Sequence, residues 1–154
     1  MDLILWRHAE AEDERDGLPD LKRALTKRGE KQAAKVGACL KRELPDDTLV
    51  LSSPAVRCVQ TADALGRKYQ VREALQPGAK AQDLLDAAQW PSAKQPVMIV
   101  GHQPVLGQVV ARLLRMESGE CALRKAGVWW LRAREREDGQ EIVVWAMLPP
   151  ELAS

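Results

Sequence analysis

The sequence LILWRH at residues 3–8 decides the fold, because four apolar residues in a row are followed at once by arginine and histidine. A run this short and this uniformly apolar is typical of a strand buried on both faces, as in a parallel sheet. Similar runs at Leu49–Leu51 and Val97–Val100 predict two further strands, and Gln70–Arg72 predicts a weaker one. The chain is therefore expected to build a parallel sheet.

Helix signals lie between these strands. Thr26 is a good N-cap, and the apolar residues after it recur every three or four positions, which gives one buried stripe. Ser53 followed by Pro54 is a second start signal, because serine caps helices and proline is favoured at their first position. Helices are expected over Lys27–Leu44, from Pro54 to about Tyr69, over Ala81–Trp90 and over Val105–Arg115.

The C-terminal part of the chain breaks this alternation. Val128–Arg134 and Ile142–Met147 predict two strands joined by a hairpin turn at Asp138-Gly139. Because strands and helices alternate up to that point, helices should cover both faces of a mostly parallel sheet. The predicted fold class is α/β: a single-domain three-layer α/β/α sandwich over residues 1–154, with an antiparallel C-terminal edge.

Composition argues against several classes of function. The 23 Lys and Arg residues against 22 Asp and Glu leave a net charge of +1, far from the basic balance of a nucleic-acid-binding protein. The 3 cysteines lack paired spacing, so they indicate neither a disulfide framework nor a zinc site. No run approaches the ~18 apolar residues that span a bilayer, and the N-terminus lacks a signal-peptide pattern. We expect a cytoplasmic protein that binds neither nucleic acid nor membranes.

Arginine and histidine side chains follow three of the predicted strands. Arg7 and His8 follow the first, Arg57 lies a helical turn beyond the second, and His102 follows the third. Since ligands of open α/β sheets bind at the carboxyl ends of the strands, these side chains should converge on one crevice. Guanidinium groups and helix N-termini suit a phosphoryl group. Taken singly each residue has an ordinary structural explanation, such as a solvated arginine on a helix, but their shared position argues for an anion site.

Several short motifs occur in a characteristic order along the chain. They are Arg7-His8-Ala9-Glu10, Leu25-Thr26 with Gly29 and Gln32, Ser53-Pro54 with Arg57, Gln60-Thr61-Ala62, and Gly101-His102 with Pro104. This set resembles the histidine phosphatase superfamily. The short chain and the Arg23-Ala24-Leu25-Thr26 stretch are most similar to its SixA-type protein phosphohistidine phosphatases. Ala9 departs from the pattern, since many members carry glycine there.

The resemblance implies a role for each of the site residues. His8 would be the nucleophile that becomes phosphohistidine, while Arg7, Arg57 and His102 would hold the phosphoryl oxygens. Arg23 stands where the SixA-type proteins also place a basic residue, so it should reach the rim of the pocket. A backbone carbonyl should hold the proton on the second ring nitrogen of His8 and so fix its tautomer. The scheme uses no metal and no other cofactor.

The expected activity is hydrolysis of phosphohistidine on a partner protein in signal transduction, through a covalent phosphohistidine intermediate. One alternative is a small-molecule phosphomonoesterase of the same superfamily, and another is a phosphate- or phosphoprotein-binding module without turnover. No general acid can be assigned: Gln103 follows His102, and Glu10 and Glu73 are the carboxylates to consider first. The sequence leaves the oligomeric state and the identity of the partner open.

Overall fold

A six-stranded sheet forms the centre of the protein, for which a computed structural model describes all 154 residues. The strands are β1 (Asp2–Arg7), β2 (Leu49–Ser52), β3 (Gln70–Val71), β4 (Val97–Gly101), β5 (Val128–Arg136) and β6 (Gly139–Leu148). Their order in the sheet is β3-β2-β4-β1-β5-β6. The four strands from β3 to β1 are parallel, whereas β5 pairs antiparallel with β1 and β6 pairs antiparallel with β5. The predicted sheet with an antiparallel C-terminal edge is confirmed.

Helices cover both faces of the sheet, as the alternating pattern predicted. They are α1 (Lys27–Glu43), α2 (Val56–Asp63), α3 (Ala81–Ala87) and α4 (Val105–Leu113), with short 3₁₀ helices at Asp20–Lys22, Glu73–Leu75 and Pro150–Leu152. Successive side chains of β1 point to opposite faces: Ile4 and Trp6 pack with α1 and α2, while Leu3 and Leu5 pack with α3 and α4. All four are fully buried, which explains why the run is uniformly apolar. None of the helices combines the length and the apolar character needed to cross a membrane.

The N-terminus of α2 differs from the prediction. The helix begins at Val56 rather than at Pro54, and its N-cap is Ala55, whose side chain makes no capping bond. The Ser53 hydroxyl accepts a hydrogen bond from the backbone N–H of Ala55, and it also contacts the ring of His102. Ser53 therefore stabilises a turn and contacts His102, and it does not cap the helix.

The other differences lie at element ends. The α2 helix stops at Asp63, six residues before the predicted Tyr69, and Gly66 then adopts a positive φ that breaks the helical path. The α3 and α4 helices also end early, at Ala87 and Leu113. Arg136 pairs with Gly139 in the β5–β6 ladder, so the hairpin turn comprises residues 137–138 rather than Asp138-Gly139.

Candidate active site

The carboxyl ends of β1, β2 and β4 meet at one edge of the sheet and form the floor of a cavity. Backbone hydrogen bonds hold them together: His8 N–H donates to Gly101 O (3.0 Å), and Ser53 N–H donates to Val100 O (3.1 Å). The cavity has a volume of about 540 Å³. Its lining includes every residue predicted for the site: Arg7, His8, Arg23, Arg57 and His102.

The His8 ring is fixed by its own backbone. Nδ1 lies 2.7 Å from the carbonyl oxygen of Ala9, which can only accept, so Nδ1 carries the proton. The expected backbone carbonyl is therefore present. The next amide is also tied down, since Ala9 N–H donates to Thr61 Oγ1 (3.1 Å). Nε2 has no hydrogen-bond partner within the protein.

The imidazole of His8 is uncharged at neutral pH. Burial lowers its pKa to about 4, and although the bond to the Ala9 carbonyl opposes this, the positive charges of Arg57, Arg7 and Arg23 lower it further. With the proton on Nδ1, the lone pair resides on Nε2. This is the protonation state that a nucleophilic imidazole needs.

His102 adopts the opposite tautomer. Its Nδ1 lies 3.4 Å from Nη2 of Arg57, which can only donate, so Nδ1 is the acceptor. Nε2 therefore carries the proton and donates it to Ser53 Oγ at 2.8 Å. Burial and the nearby charge of Arg57 lower the pKa of His102 to about 3. The two imidazole rings face the same cavity, with centroids 5.4 Å apart.

Two arginines each retain one buried donor without an acceptor. Arg57 is 3% exposed, and Arg7 donates through Nη1 to Leu123 O at 2.7 Å. In the whole chain the only buried side-chain nitrogen or oxygen atoms without a partner are Nε of Arg7 and Nε of Arg57. Buried polar groups are normally satisfied, so two such donors beside one cavity indicate a site for an anion.

Arg23 lines the cavity as expected, and it is held by residues that sequence reasoning missed. Its Nη1 donates to Glu12 O (2.7 Å), and its Nη2 forms an ion pair with Asp20 Oδ1 (2.9 Å). Asp20 also contacts Arg57. Asp20 and Arg23 are three positions apart, a spacing from which their ion pair could have been predicted. No local pattern in the sequence indicates the contact between Asp20 and Arg57.

The carboxylates considered as general acids lie elsewhere. Glu10 accepts a hydrogen bond from Thr26 Oγ1 (2.8 Å), and neither Glu10 nor Glu73 lines the cavity. Asp13 is the one carboxylate in the lining. No group of three His, Cys, Asp or Glu side chains is placed to hold a metal ion.

Cys58 packs against one of the two site histidines. Its Sγ is 3.4 Å from Nε2 of His102, because the turn of α2 that carries Arg57 also carries Cys58 against the histidine. Burial raises the pKa of this thiol to about 12, so it remains protonated. Cys58 is fully buried, so it serves as a packed helix residue.

Comparison with known proteins identifies the family. The sequence model of the histidine phosphatase superfamily (branch 1) matches residues 3–78. The phosphohistidine phosphatase SixA homolog of Haemophilus influenzae is 31% identical over 130 residues, which cover 73% of this chain and 77% of that one. The chain belongs to the histidine phosphatase superfamily. An uncharacterized protein of Picosynechococcus sp. is 34% identical over 143 residues, covering 86% of each chain.

Solved structures share the histidine phosphatase fold over nearly the whole chain. SixA from Agrobacterium tumefaciens superposes with a TM-score of 0.81 at 24% identity, covering 97% of both chains. A SixA protein histidine phosphatase complexed with tungstate gives a TM-score of 0.78 at 21% identity, again over 97% of both chains. A phosphoserine phosphatase of Entamoeba histolytica gives 0.71 at 19% identity, covering 97% of this chain and 98% of its own. The superfamily membership supports a phosphatase as the class of enzyme, and the fold alone does not choose among phosphorylated substrates.

Proposed function

We propose that this protein hydrolyses phosphohistidine on a partner protein and that His8 carries the phosphoryl group in a covalent intermediate. The observation that carries the proposal is the state of His8. Its Nδ1 proton is held by the Ala9 carbonyl, and its Nε2 is without a partner in a cavity that also holds two unsatisfied arginines. A neutral imidazole with one free lone pair is the form that attacks phosphorus.

In the first step Nε2 of His8 attacks the phosphorus, a new P–N bond forms, and the bond to the leaving imidazole breaks. The leaving nitrogen keeps the electron pair and takes a proton from solvent. The His8 ring becomes positively charged, and the Ala9 carbonyl stabilises it through the Nδ1 proton. In the second step water attacks the phosphorus and returns the lone pair to Nε2. Inorganic phosphate leaves, and the water proton passes to solvent.

The arginines stabilise the charge on the phosphoryl oxygens during both steps. The free Nε–H groups of Arg7 and Arg57 supply donors that are already desolvated and fixed, and such donors act on a loose phosphoryl transition state without reorganisation. Arg23 extends the cationic lining toward the rim. A bound phosphoryl dianion favours the protonated form of His102, which adds a further positive charge beside the phosphoryl oxygens.

The positions of the nearby carboxylates support phosphohistidine rather than a phosphate ester as the substrate, because none of them is a buried proton donor in the cavity. Expelling an alkoxide benefits from a positioned acid by a factor of about 10² to 10⁴. Imidazole is a better leaving group, because its unperturbed pKa is only ~6.5 and solvent can protonate its second nitrogen. Neither Glu10 nor Glu73 lines the cavity, and Asp13 is solvent-exposed. The phosphomonoesterase alternative requires an acid at this place, and Asp13 is the residue it would use.

A series of leaving groups tests the substrate class. We expect kcat/KM at fixed pH to be highest for a phosphohistidine protein, to be measurable for aryl phosphates and to be very low for alkyl phosphates. A flat dependence on the leaving group, or a preference for an alkyl phosphate, would contradict the phosphohistidine proposal. In that case Asp13→Asn should abolish the alkyl phosphatase activity.

Trapping of the intermediate tests the nucleophile. After brief incubation with labelled substrate, an alkaline quench should retain label on His8 and an acid quench should lose it, because phosphoramidates are acid-labile. His8→Ala should show no label and should lose about three orders of magnitude or more in turnover. His102→Asn is the matched control, since it should still accept label on His8, though slowly. Near-normal turnover by His8→Ala would contradict the mechanism, and oxyanion binding by the wild type without turnover would indicate a binding module.

A further inference from the structure

Asp20 bridges two of the arginines of the active site. It belongs to the 3₁₀ helix Asp20–Lys22, outside the strand ends that supply the other site residues. Its backbone oxygen accepts from Arg57 Nη1 (2.9 Å), and its Oδ2 accepts from Arg57 Nη2 (3.2 Å). Its Oδ1 accepts from Nε (3.0 Å) and Nη2 (2.9 Å) of Arg23. One residue thus binds both guanidinium groups.

The carboxylate of Asp20 lies behind the arginines rather than in the cavity. Arg23 and Arg57 line the cavity, and Asp20 does not. The side chain of Asp20 is 44% exposed, whereas that of Arg57 is 4% exposed. A carboxylate that competed with a substrate phosphoryl group would have to occupy the cavity itself. Asp20 is instead placed to hold the two arginine side chains in position.

The remaining contacts of the two arginines show why such a support matters. Apart from Asp20, the Arg57 guanidinium is held only by His102 at 3.4 Å, and that of Arg23 only by the backbone oxygen of Glu12. A long arginine side chain loses substantial rotamer entropy when it is fixed, so a group that fixes it in advance lowers the cost of binding. Burial alone would raise the pKa of Asp20, but the bonds from Arg23 and Arg57 lower it below 3.8, which keeps the carboxylate charged.

We propose that Asp20 is a positioning residue that holds Arg57 and Arg23 in register at the phosphoryl-binding site. It engages both Nη groups of Arg57, whose Nε–H has no partner within the protein. Its Oδ1 also accepts from Nε and Nη2 of Arg23, so one carboxylate holds the arginine at the rim of the cavity and the buried Arg57. The catalytic part of this proposal rests on the function proposed above, whereas the effect on anion binding does not.

The test measures tungstate binding and turnover in parallel. Asp20→Ala should weaken tungstate binding and lower kcat/KM for an aryl phosphate by about 10- to 100-fold, because small misplacements of positioning groups cost up to ~10²-fold. Asp16→Asn is the matched control: it changes an exposed aspartate of the same segment that makes no side-chain bond, and it should leave both quantities unchanged. The unfolding temperature of each variant checks that the fold is retained.

A double-mutant cycle separates positioning from a general effect on the fold. In an Arg57→Ala background the loss caused by Asp20→Ala should become smaller, since one of the two arginines that Asp20 supports is gone and only its effect through Arg23 remains. An equal loss in both backgrounds, or a similar loss from Asp16→Asn, would overturn the proposal. Tighter tungstate binding and faster turnover by Asp20→Ala would also overturn it, because Asp20 would then be a competing anion.

The binding measurement keeps this proposal distinguishable from the proposed function. Tungstate binding can be repeated in a His8→Ala background, where no covalent step occurs. If Asp20→Ala weakens tungstate binding there as well, the positioning role stands even if the enzyme proves to act on another substrate. If binding in that background does not change, the role of Asp20 is refuted, whatever turnover shows.

Discussion

The two histidines of the chain should have opposite tautomers and should both resist protonation. Ala9 O can only accept and Arg57 can only donate, which assigns Nδ1–H to His8 and Nε2–H to His102. Lowering the pH is the perturbation. At pH 6 an exposed histidine with a pKa of 6.5 is about three-quarters protonated, whereas His8, with its pKa lowered to about 4, should be roughly 1% protonated.

Imidazole NMR can measure this directly, because the chain contains only 2 histidines. In uniformly ¹⁵N-labelled protein the pattern of ring nitrogen shifts reports which nitrogen carries the proton, and His102→Asn assigns the remaining signals to His8. We expect both tautomers to persist unchanged from pH 8 to pH 5. Saturating tungstate should then raise the pKa of His102, because the bound anion favours its charged form.

The reasoning would be refuted by either of two results. A His8 ring that carries its proton on Nε2 would have no lone pair directed at the substrate, and the Ala9 carbonyl would lose its assigned role. A His8 that titrates near pH 6.5 would mean that burial and the three arginine charges do not act on it as the structure implies.

Three further predictions concern single residues and pH. Arg57→Ala should cost roughly 2–4 kcal/mol of transition-state stabilisation, measured from kcat/KM, and Arg57→Lys should restore the charge without the activity. The free energy of unfolding, measured by urea titration, should rise from pH 4 to pH 6.5. In this range His8 and His102 stay neutral in the folded state, so the unfolded state binds more protons. A free energy of unfolding that does not change with pH would contradict this. Gly107→Ala should destabilise the protein by about 1–3 kcal/mol in thermal unfolding, since a Cβ there would lie 1.8 Å from Cys121 O; an unchanged unfolding temperature would contradict the close packing.

The parallel sheet and the convergence of the site could be predicted because both depend on short, local patterns. A fully apolar run predicts a strand covered on both faces, and the strand-end rule then brings together residues such as Arg7, Arg57 and His102 that are far apart in sequence. The prediction for Arg23 depended on the family resemblance, and the structure places it in the lining.

The missed features depend on tertiary contacts that leave no local signal. Ser53 has the sequence context of a helix cap, yet its hydroxyl accepts from His102, a residue 49 positions away. Asp20 lies in a segment without periodicity, and its bond to Arg57 spans 37 positions. The helix α2 ends before Gly66, which adopts a positive φ that glycine tolerates easily. The spacing of apolar residues carries no information about such a backbone angle.

The central position of β1 has a consequence for how the chain is made. Its neighbours in the sheet are β4 and β5, and about 90 residues separate Arg7 from the start of β4, so β1 contributes contacts of very long sequence separation. On a ribosome this apolar segment emerges well before either partner strand exists. Until residues 97–101 are synthesised, Leu3–Trp6 has no neighbouring strand to pair with, which leaves this apolar segment exposed to aggregation or to chaperone binding during synthesis.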